Sequence, residues 1–358
     1  MPVLQGLEHW FWPLNTLEDP QYGWIIPILI LNFAVLAIVT KFPKGIILNL
    51  MLLILVGYAT QHMFALVEGR GLDGMRDRLV NTGHADFAID AAYPPSVTRV
   101  MRDYRTMIDS GELHRYPHST KPPGHFVVYI LTGRLAAILT GIHPDVFERL
   151  ATLTAFFFPL LTYLTLIPLF FLARLYLPQR QAHLPLILFM AAPNLNLITL
   201  HLDQVLYPFL FLLPITLYLY GFKRQNKTLL LLSGLSMAGI IYVSYSLIAV
   251  IAVVGLLGLM AIWKERPAFT PAIKSLVQVA IGFLVFELFQ YFVFGFNLLG
   301  DYRYVMAQHQ AWKVSQWTAP LTLYIGALDL LEYALWIGWP IFLFSASWML
   351  KSPFRWRK

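Results

Sequence analysis

The sequence predicts an all-α polytopic membrane protein, a bundle of about nine transmembrane helices with further helices lying along its outer face. Three observations predict it. The 358 residues are 58% hydrophobic and only 13% charged, with a mean hydropathy of +0.62, whereas soluble domains carry about 25% charged residues. Apolar runs recur along the chain at close to the ~20 residues that a helix needs to cross the hydrocarbon core. Aromatic residues, 15% of the chain, suffice to furnish belts at both interfaces. A formal charge of +7 would suggest nucleic acid in a soluble protein. In this composition membrane orientation accounts for it, and no nucleic-acid partner is expected. The absence of cysteine excludes disulfides, thiolate metal sites and cysteine nucleophiles. No cleavable signal peptide is expected, because Glu8, Glu18 and Asp19 accompany Trp10 and Trp12 where a basic n-region would stand.

The nine predicted spans are residues 24–40, 46–67, 150–173, 183–200, 205–222, 228–243, 246–263, 272–298 and 330–350. A tenth apolar segment, 125–140, is shorter and carries Arg134 in its middle. Basic residues decide its status. Lys41 and Lys44 follow the first span, Arg174 and Arg180 the third, and Lys223, Arg224 and Lys227 the fifth. Lys264, Arg266 and Lys274 surround the junction after the seventh, and Lys351, Arg355, Arg357 and Lys358 follow the last. All these clusters fall on one side, cytoplasmic by the positive-inside rule, only if 125–140 does not cross. It is therefore read as an amphipathic or re-entrant helix at the outer surface, with Arg134 snorkelling or facing a cavity. Three regions result: 1–67 with the first two spans, 68–149 as an outer loop with juxtamembrane helices, and 150–358 as the transmembrane bundle. Carboxylates support the same map, since only Glu265 falls in a predicted cytoplasmic connection.

Polar residues that could carry chemistry gather on the outer side. In Tyr116-Pro-His-Ser-Thr-Lys-Pro-Pro-Gly-His125, paired prolines fix the backbone as a rigid extended corner and withdraw two amide donors. Upstream, Arg70, Arg76 and Arg78 are potential bidentate phosphate binders. Asp86 and Asp90 stand four apart and share a helical face; Asp86, after His84 and among apolar neighbours, is suited to act as a base. Residues 97–110, with Arg99, Arg102 and Arg105, read as an amphipathic helix against the headgroups, its arginines simply solvated. His201 and Asp203, in the turn between the fourth and fifth spans, lie at the membrane boundary, where an acid needs a partner or caps the next helix. Glu287 and Gln290 are intramembrane polar groups read as structural. Asp301, Arg303, His309 and Lys313 form a further outer group without assignment. No HExxH, GxSxG, Walker A or dinucleotide-binding glycine pattern occurs.

In order and on one side, an acid in an early outer loop, Lys-Pro-Pro opening a short apolar helix, and an acid at the outer end of a later helix resemble the GT-C class of membrane glycosyltransferases. The resemblance is to the protein O-mannosyltransferase and aminoarabinose-transferase branch. It is carried by Asp86 in GHADF, Lys121-Pro122-Pro123 in STKPPGH, Arg149 in FERL and Asp203 in HLDQ, across roughly residues 68–222. Here the acidic loop follows the second span, and Asp86 is followed by Phe87 in place of a second carboxylate.

The resemblance implies a sugar donor on a polyprenyl phosphate such as undecaprenyl or dolichyl phosphate. The acceptor would be a hydroxyl on a glycan, lipid or protein, and transfer would proceed by inverting displacement on the outer face of a bacterial plasma membrane. Asp86 would be the general base. Lys121, with Arg70, Arg149 and His125, would hold the phosphate, and His84 and His201 would complete the substrate-binding set. Asp203 would orient the acceptor or, with Asp86, bind a divalent ion (Mg or Mn) if one is used; no other cofactor is implied. The competing class is a transporter or flippase for a lipid-linked or small polar substrate, which would want polar groups at the midplane of several helices. A non-catalytic assembly protein is the third.

Overall fold

The computed structural model describes residues 17, 19–81, 85–141, 147–197, 201–264, 269–311 and 318–351, and among these every regular element is helical. Helices α1 (Ile25–Lys41) and α2 (Ile46–Val67) form a hairpin. Short helices α3 (Gly71–Val80), α4 (Ala85–Ala92), α5 (Val97–Asp109) and α6 (Arg115–His118) precede the longer α7 (Pro123–Thr140). Next come α8 (Phe147–Tyr163), α9 (Leu166–Arg174) and three short helices, α10 (Leu184–Met190), α11 (Pro193–Leu197) and α12 (Leu202–Val205). The bundle continues with α13 (Tyr207–Arg224), α14 (Lys227–Val243), α15 (Ala249–Lys264) and α16 (Phe269–Phe294). Helices α17 (Leu298–His309), α18 (Ala319–Ile337) and α19 (Trp339–Lys351) follow.

Local chemistry sets many of these boundaries. The Ser96 hydroxyl accepts the Arg99 amide at the start of α5, and Asn226 and Asn297 side chains accept Leu229 and Gly300 amides at α14 and α17. Each satisfies a donor that the helix start would leave unpaired. Helix α7 opens with Pro123 in its first position and ends at Gly141, whose φ of 70° is the left-handed stop. Helices α14 and α16 pack most closely, because a Cβ on Gly234 or Gly282 would overlap the backbone of Val279 or Leu231. Large apolar side chains face outward on α1, α2 and α16, among them Phe33, Met51, Leu284 and Phe292. A belt of that kind needs lipid around it.

The bundle has two chemically different ends. At one, the Gln179 amide donates to the Pro43 carbonyl (2.9 Å), Asn49 to the Phe42 carbonyl (2.9 Å), and the Lys223 ammonium to the Leu175 carbonyl (3.3 Å). The connections after α1, α9 and α13, with Lys41, Lys44, Arg174 and Lys223, therefore meet at a basic end. The opposite end carries α3 to α6 and α17. These helices share a core with the bundle: Phe87, Val100, Met107 and Phe126, all fully buried, pack with Leu150, Phe158, Leu202 and Val205. Burying each such side chain contributes roughly 1.5–3 kcal/mol. Helices α3 to α6 thus form a packed cap.

Three expectations about the spans are corrected. Among the described residues seven stretches have the length and apolarity to cross a bilayer: Tyr22–Lys41, Ile46–Val67, Pro123–Thr140, Phe147–Arg174, Tyr245–Ile262, Thr270–Phe294 and Ala319–Ile337. They include α7, whose apolar residues run all round the helix. That replaces the amphipathic alternative expected for 125–140 and leaves the re-entrant one, since Glu148, soon after its end, meets Arg76 of α3 (3.6 Å). Its first turns, including His125, Phe126, Tyr129 and Ile130, are buried against α4, α5, α8 and α14, while Arg134 is exposed. The expected span 183–200 is broken between α10 and α11, where Pro193 supplies no amide. The expected span 330–350 is two helices that meet at Gly338 (φ 92°), and α18 begins at Ala319; Asp329, exposed within it, interrupts the apolar pattern that marked the start.

Candidate active site at the loop end

The proline corner is the most deeply seated polar stretch of the cap. His118, Ser119 and Thr120 are buried, as are Pro122, Pro123 and Gly124. The expected extended backbone is present at Tyr116 (ψ 133°) and Pro122 (ψ 162°), but one helical turn, α6, intervenes. Thr120 donates its hydroxyl to the Pro117 carbonyl (2.7 Å), and His309 of α17 donates to the Thr120 carbonyl (3.2 Å). A Cβ on Gly124 would collide with the Tyr242 carbonyl at the end of α14. Cap and bundle are thereby clamped on either side of Lys121.

Behind the corner stands a carboxylate held by two histidines. The Asp90 Oδ1 accepts from His114 Nδ1 (2.8 Å), its Oδ2 accepts the His114 amide (3.0 Å), and His118 Nε2 lies 2.8 Å from Oδ2. His118 Nε2 faces that oxygen at short range, with an angle that departs from the ring N–H direction. With the proton of His118 on the nitrogen facing the carboxylate, Nδ1 is left as acceptor, and the Tyr104 hydroxyl donates to it at 2.9 Å. Burial would raise the Asp90 carboxyl, but the contacts with His118 and His114 outweigh it and hold Asp90 below the ordinary carboxylate range. Burial lowers His118 against the opposing pull of Asp90, and burial holds the Tyr104 hydroxyl well above the usual phenol range. At neutral pH the chain is therefore carboxylate, neutral imidazole, neutral phenol.

Tyr104 and His118 line a cavity of about 290 Å³ between α5, the corner and the α16–α17 junction. Arg102, Arg105 and Lys121 face the same cavity, against a single carboxylate among the described residues, Asp301. Arg105 pairs with Asp301 and lies 4.6 Å over the Tyr304 ring. Lys121 is half-buried with its ammonium 5.9 Å from the Tyr207 ring centre. Cations beside aromatic walls, at the end of an apolar bundle, suit an anionic group that carries an apolar body.

The remaining expected site residues divide. Asp86 is half-buried in the first turn of α4, one turn before Asp90 and within electrostatic reach of His118, but outside the cavity lining. The α12 backbone that carries Asp203 shares the core cluster with Phe87 through Leu202 and Val205; the Asp203 side chain lies outside the described residues, as do His84 and Lys313. His201 is half-buried, and its carbonyl accepts the Val205 amide (2.9 Å). His125 is fully buried in an aromatic cluster, 4.6 Å from the Phe87 ring, so it is a core residue and not a phosphate ligand. Arg70 is paired with Asp77, Arg78 with Glu68, and Arg76 with Asp77 (3.7 Å) and Glu148 (3.6 Å). The α3 arginines are a compensated surface network, which removes Arg70 from the phosphate set. Arg149 is exposed at the start of α8 and away from the cavity.

Among the described residues no three His, Asp or Glu side chains gather closely enough to hold a metal ion, and no role is assigned to one. Sequence reasoning missed Tyr104, His114, Arg102 and Arg105 as site residues. The usable signals were His114 and His118 four apart, and the tyrosine that interrupts the arginine face of 97–110. Compared with protein-family models, curated proteins and solved structures, the chain matches none.

Proposed function

We propose that the protein is a membrane glycosyltransferase that takes a sugar from a polyprenyl-phosphate donor to an acceptor hydroxyl on a glycan, lipid or protein. The observation that carries this reading is the loop-end cavity, where Lys121, Arg102 and Arg105 face one carboxylate among aromatic walls. The donor phosphate would lie against Lys121 and Arg102, which hold the charge as it develops on the leaving oxygen. The polyprenyl chain would leave along the exposed apolar flank of α16. With the basic end on the cytoplasmic side by the positive-inside rule, the cavity faces outward, in bacteria across the plasma membrane. Asp203 would orient the acceptor. A donor that arrives already activated on a lipid accounts for a chain with no nucleotide-binding motif.

The test is transfer of labelled sugar from a panel of undecaprenyl-phosphate hexoses by protein in liposomes. Wild type is expected to consume one donor, and Lys121→Ala to lower the rate about 100-fold. Transfer by Lys121→Ala at the wild-type rate would sink the phosphate assignment.

A further inference from the structure

We propose that Asp90, His118 and Tyr104 form a proton relay, and that the Tyr104 phenol is the group that takes the proton from the acceptor hydroxyl. The inference rests on the transferase reading. Its ground is geometric: hydroxyl to imidazole 2.9 Å, imidazole to carboxylate 2.8 Å, and the carboxylate fixed from its other side by His114 at 2.8 Å. A hydroxyl whose hydrogen bond points into an imidazole, itself oriented by a half-buried acid, is the arrangement that makes an oxygen basic at neutral pH. Structural packing alone would not require the phenol and the imidazole to border a cationic cavity of the cap, and both do. Asp86, the carboxylate singled out from the sequence, borders no part of it.

The acceptor O–H bond breaks, its proton passes to the Tyr104 oxygen, and the Tyr104 proton passes to His118 Nδ1. The acceptor oxygen bonds to the anomeric carbon, and the bond from that carbon to the phosphate oxygen breaks. The phosphate leaves with the electron pair toward Lys121 and Arg102. His118 is left as an imidazolium against Asp90, and returns its proton to solvent after product leaves.

The groups that face His118 are Asp86 and Asp90 from α4, Tyr104 from α5 and His114 from its own segment. Lys121 and Arg105 share its cavity wall, with Asp301 and Tyr304 opposite. Burial keeps the ring neutral at rest, against the pull of the two acids behind it. The relay must therefore fail on acidification, when His118 already carries a proton.

The experiment uses full-length protein in nanodiscs, with the undecaprenyl-phosphate hexose that wild type consumes as substrate and undecaprenyl phosphate as binding probe. Tyr104→Phe keeps the ring and removes the relay oxygen. It is expected to bind the probe within threefold of wild type, unfold at the wild-type temperature, and lose at least 100-fold in kcat. The acid limb of the wild-type pH–rate profile is expected to vanish in the residual activity. His118→Gln, checked for folding by thermal unfolding, is expected to match it. Wild-type kcat and an unchanged acid limb in Tyr104→Phe, with transfer lost in Asp86→Asn, would overturn the relay and leave the transferase reading standing. Wild type that transfers none of the donors overturns both.

Discussion

Two groups of arginines sit on the same cap, and they are built differently. On α3 every arginine has a carboxylate: Arg70 and Arg76 reach Asp77, Arg78 reaches Glu68, and Arg76 also reaches Glu148. On α5, Arg99 is paired with Glu112 and Arg105 with Asp301, while Arg102 and Arg105 turn to a cavity that they share with Lys121, where Asp301 is the one acid among the described residues. Among the described residues Arg102 has no carboxylate within ion-pair distance. The contrast separates charge that fastens a surface from charge that waits for an anion. The presence of arginines does not make that distinction; the placement of acids does.

Substitutions can break the comparison in order of expected effect. Lys121→Ala should remove most sugar transfer while Arg70→Ala leaves it within about twofold, because exposed, compensated pairs contribute little. Asp90→Asn should lower unfolding stability by about 2 kcal/mol, read by thermal denaturation in detergent, since it strips the charge that two histidines face. Gly124→Ala should cost about 1–3 kcal/mol, because the Tyr242 carbonyl must move to admit a methyl group. Arg70→Ala should shift stability by less than about 0.5 kcal/mol in the same assay.

Acidification gives a finer test, and its sign is set by two groups. His118 is lower in the folded protein than in the unfolded chain, so the unfolded chain binds more protons between the two values. Stability is therefore full above the ordinary histidine range and falls as pH drops through it. Asp90 is also lower when folded, so its contribution is full above the usual carboxylate range and is lost as pH falls toward its depressed value. Thermal unfolding should weaken in two stages from neutral pH downward, and Asp90→Asn should flatten the lower one.

Much of this protein was legible in the sequence, for physical reasons that also mark where reading stopped. Hydropathy alone predicted the helical membrane bundle, because lipid admits few alternatives. The basic clusters predicted which connections meet, and the contacts of Pro43, Leu175 and Lys223 agree. Lys121 was legible because Pro-Pro beside a lysine is an unusual way to open a helix. The break at Pro193 and the split at Gly338 were visible residues given too little weight. The site itself was less legible. Asp86 and Asp90 share a helical face, but only the fold of 114–118 back onto α4 selects Asp90. Arg105 finds Asp301 across 196 positions, a pairing that no local pattern encodes. Arg102 and Arg105 look solvated by periodicity, and become cavity residues only when α17 closes over them.

The most direct measurement is the affinity of full-length protein in nanodiscs for undecaprenyl phosphate, followed by phosphorus NMR for wild type, Lys121→Ala and Arg70→Ala. The two-arginine comparison predicts saturable binding by wild type, at least a tenfold loss in Lys121→Ala and no change in Arg70→Ala. Equal losses in both variants, or no saturable binding by wild type, would contradict it.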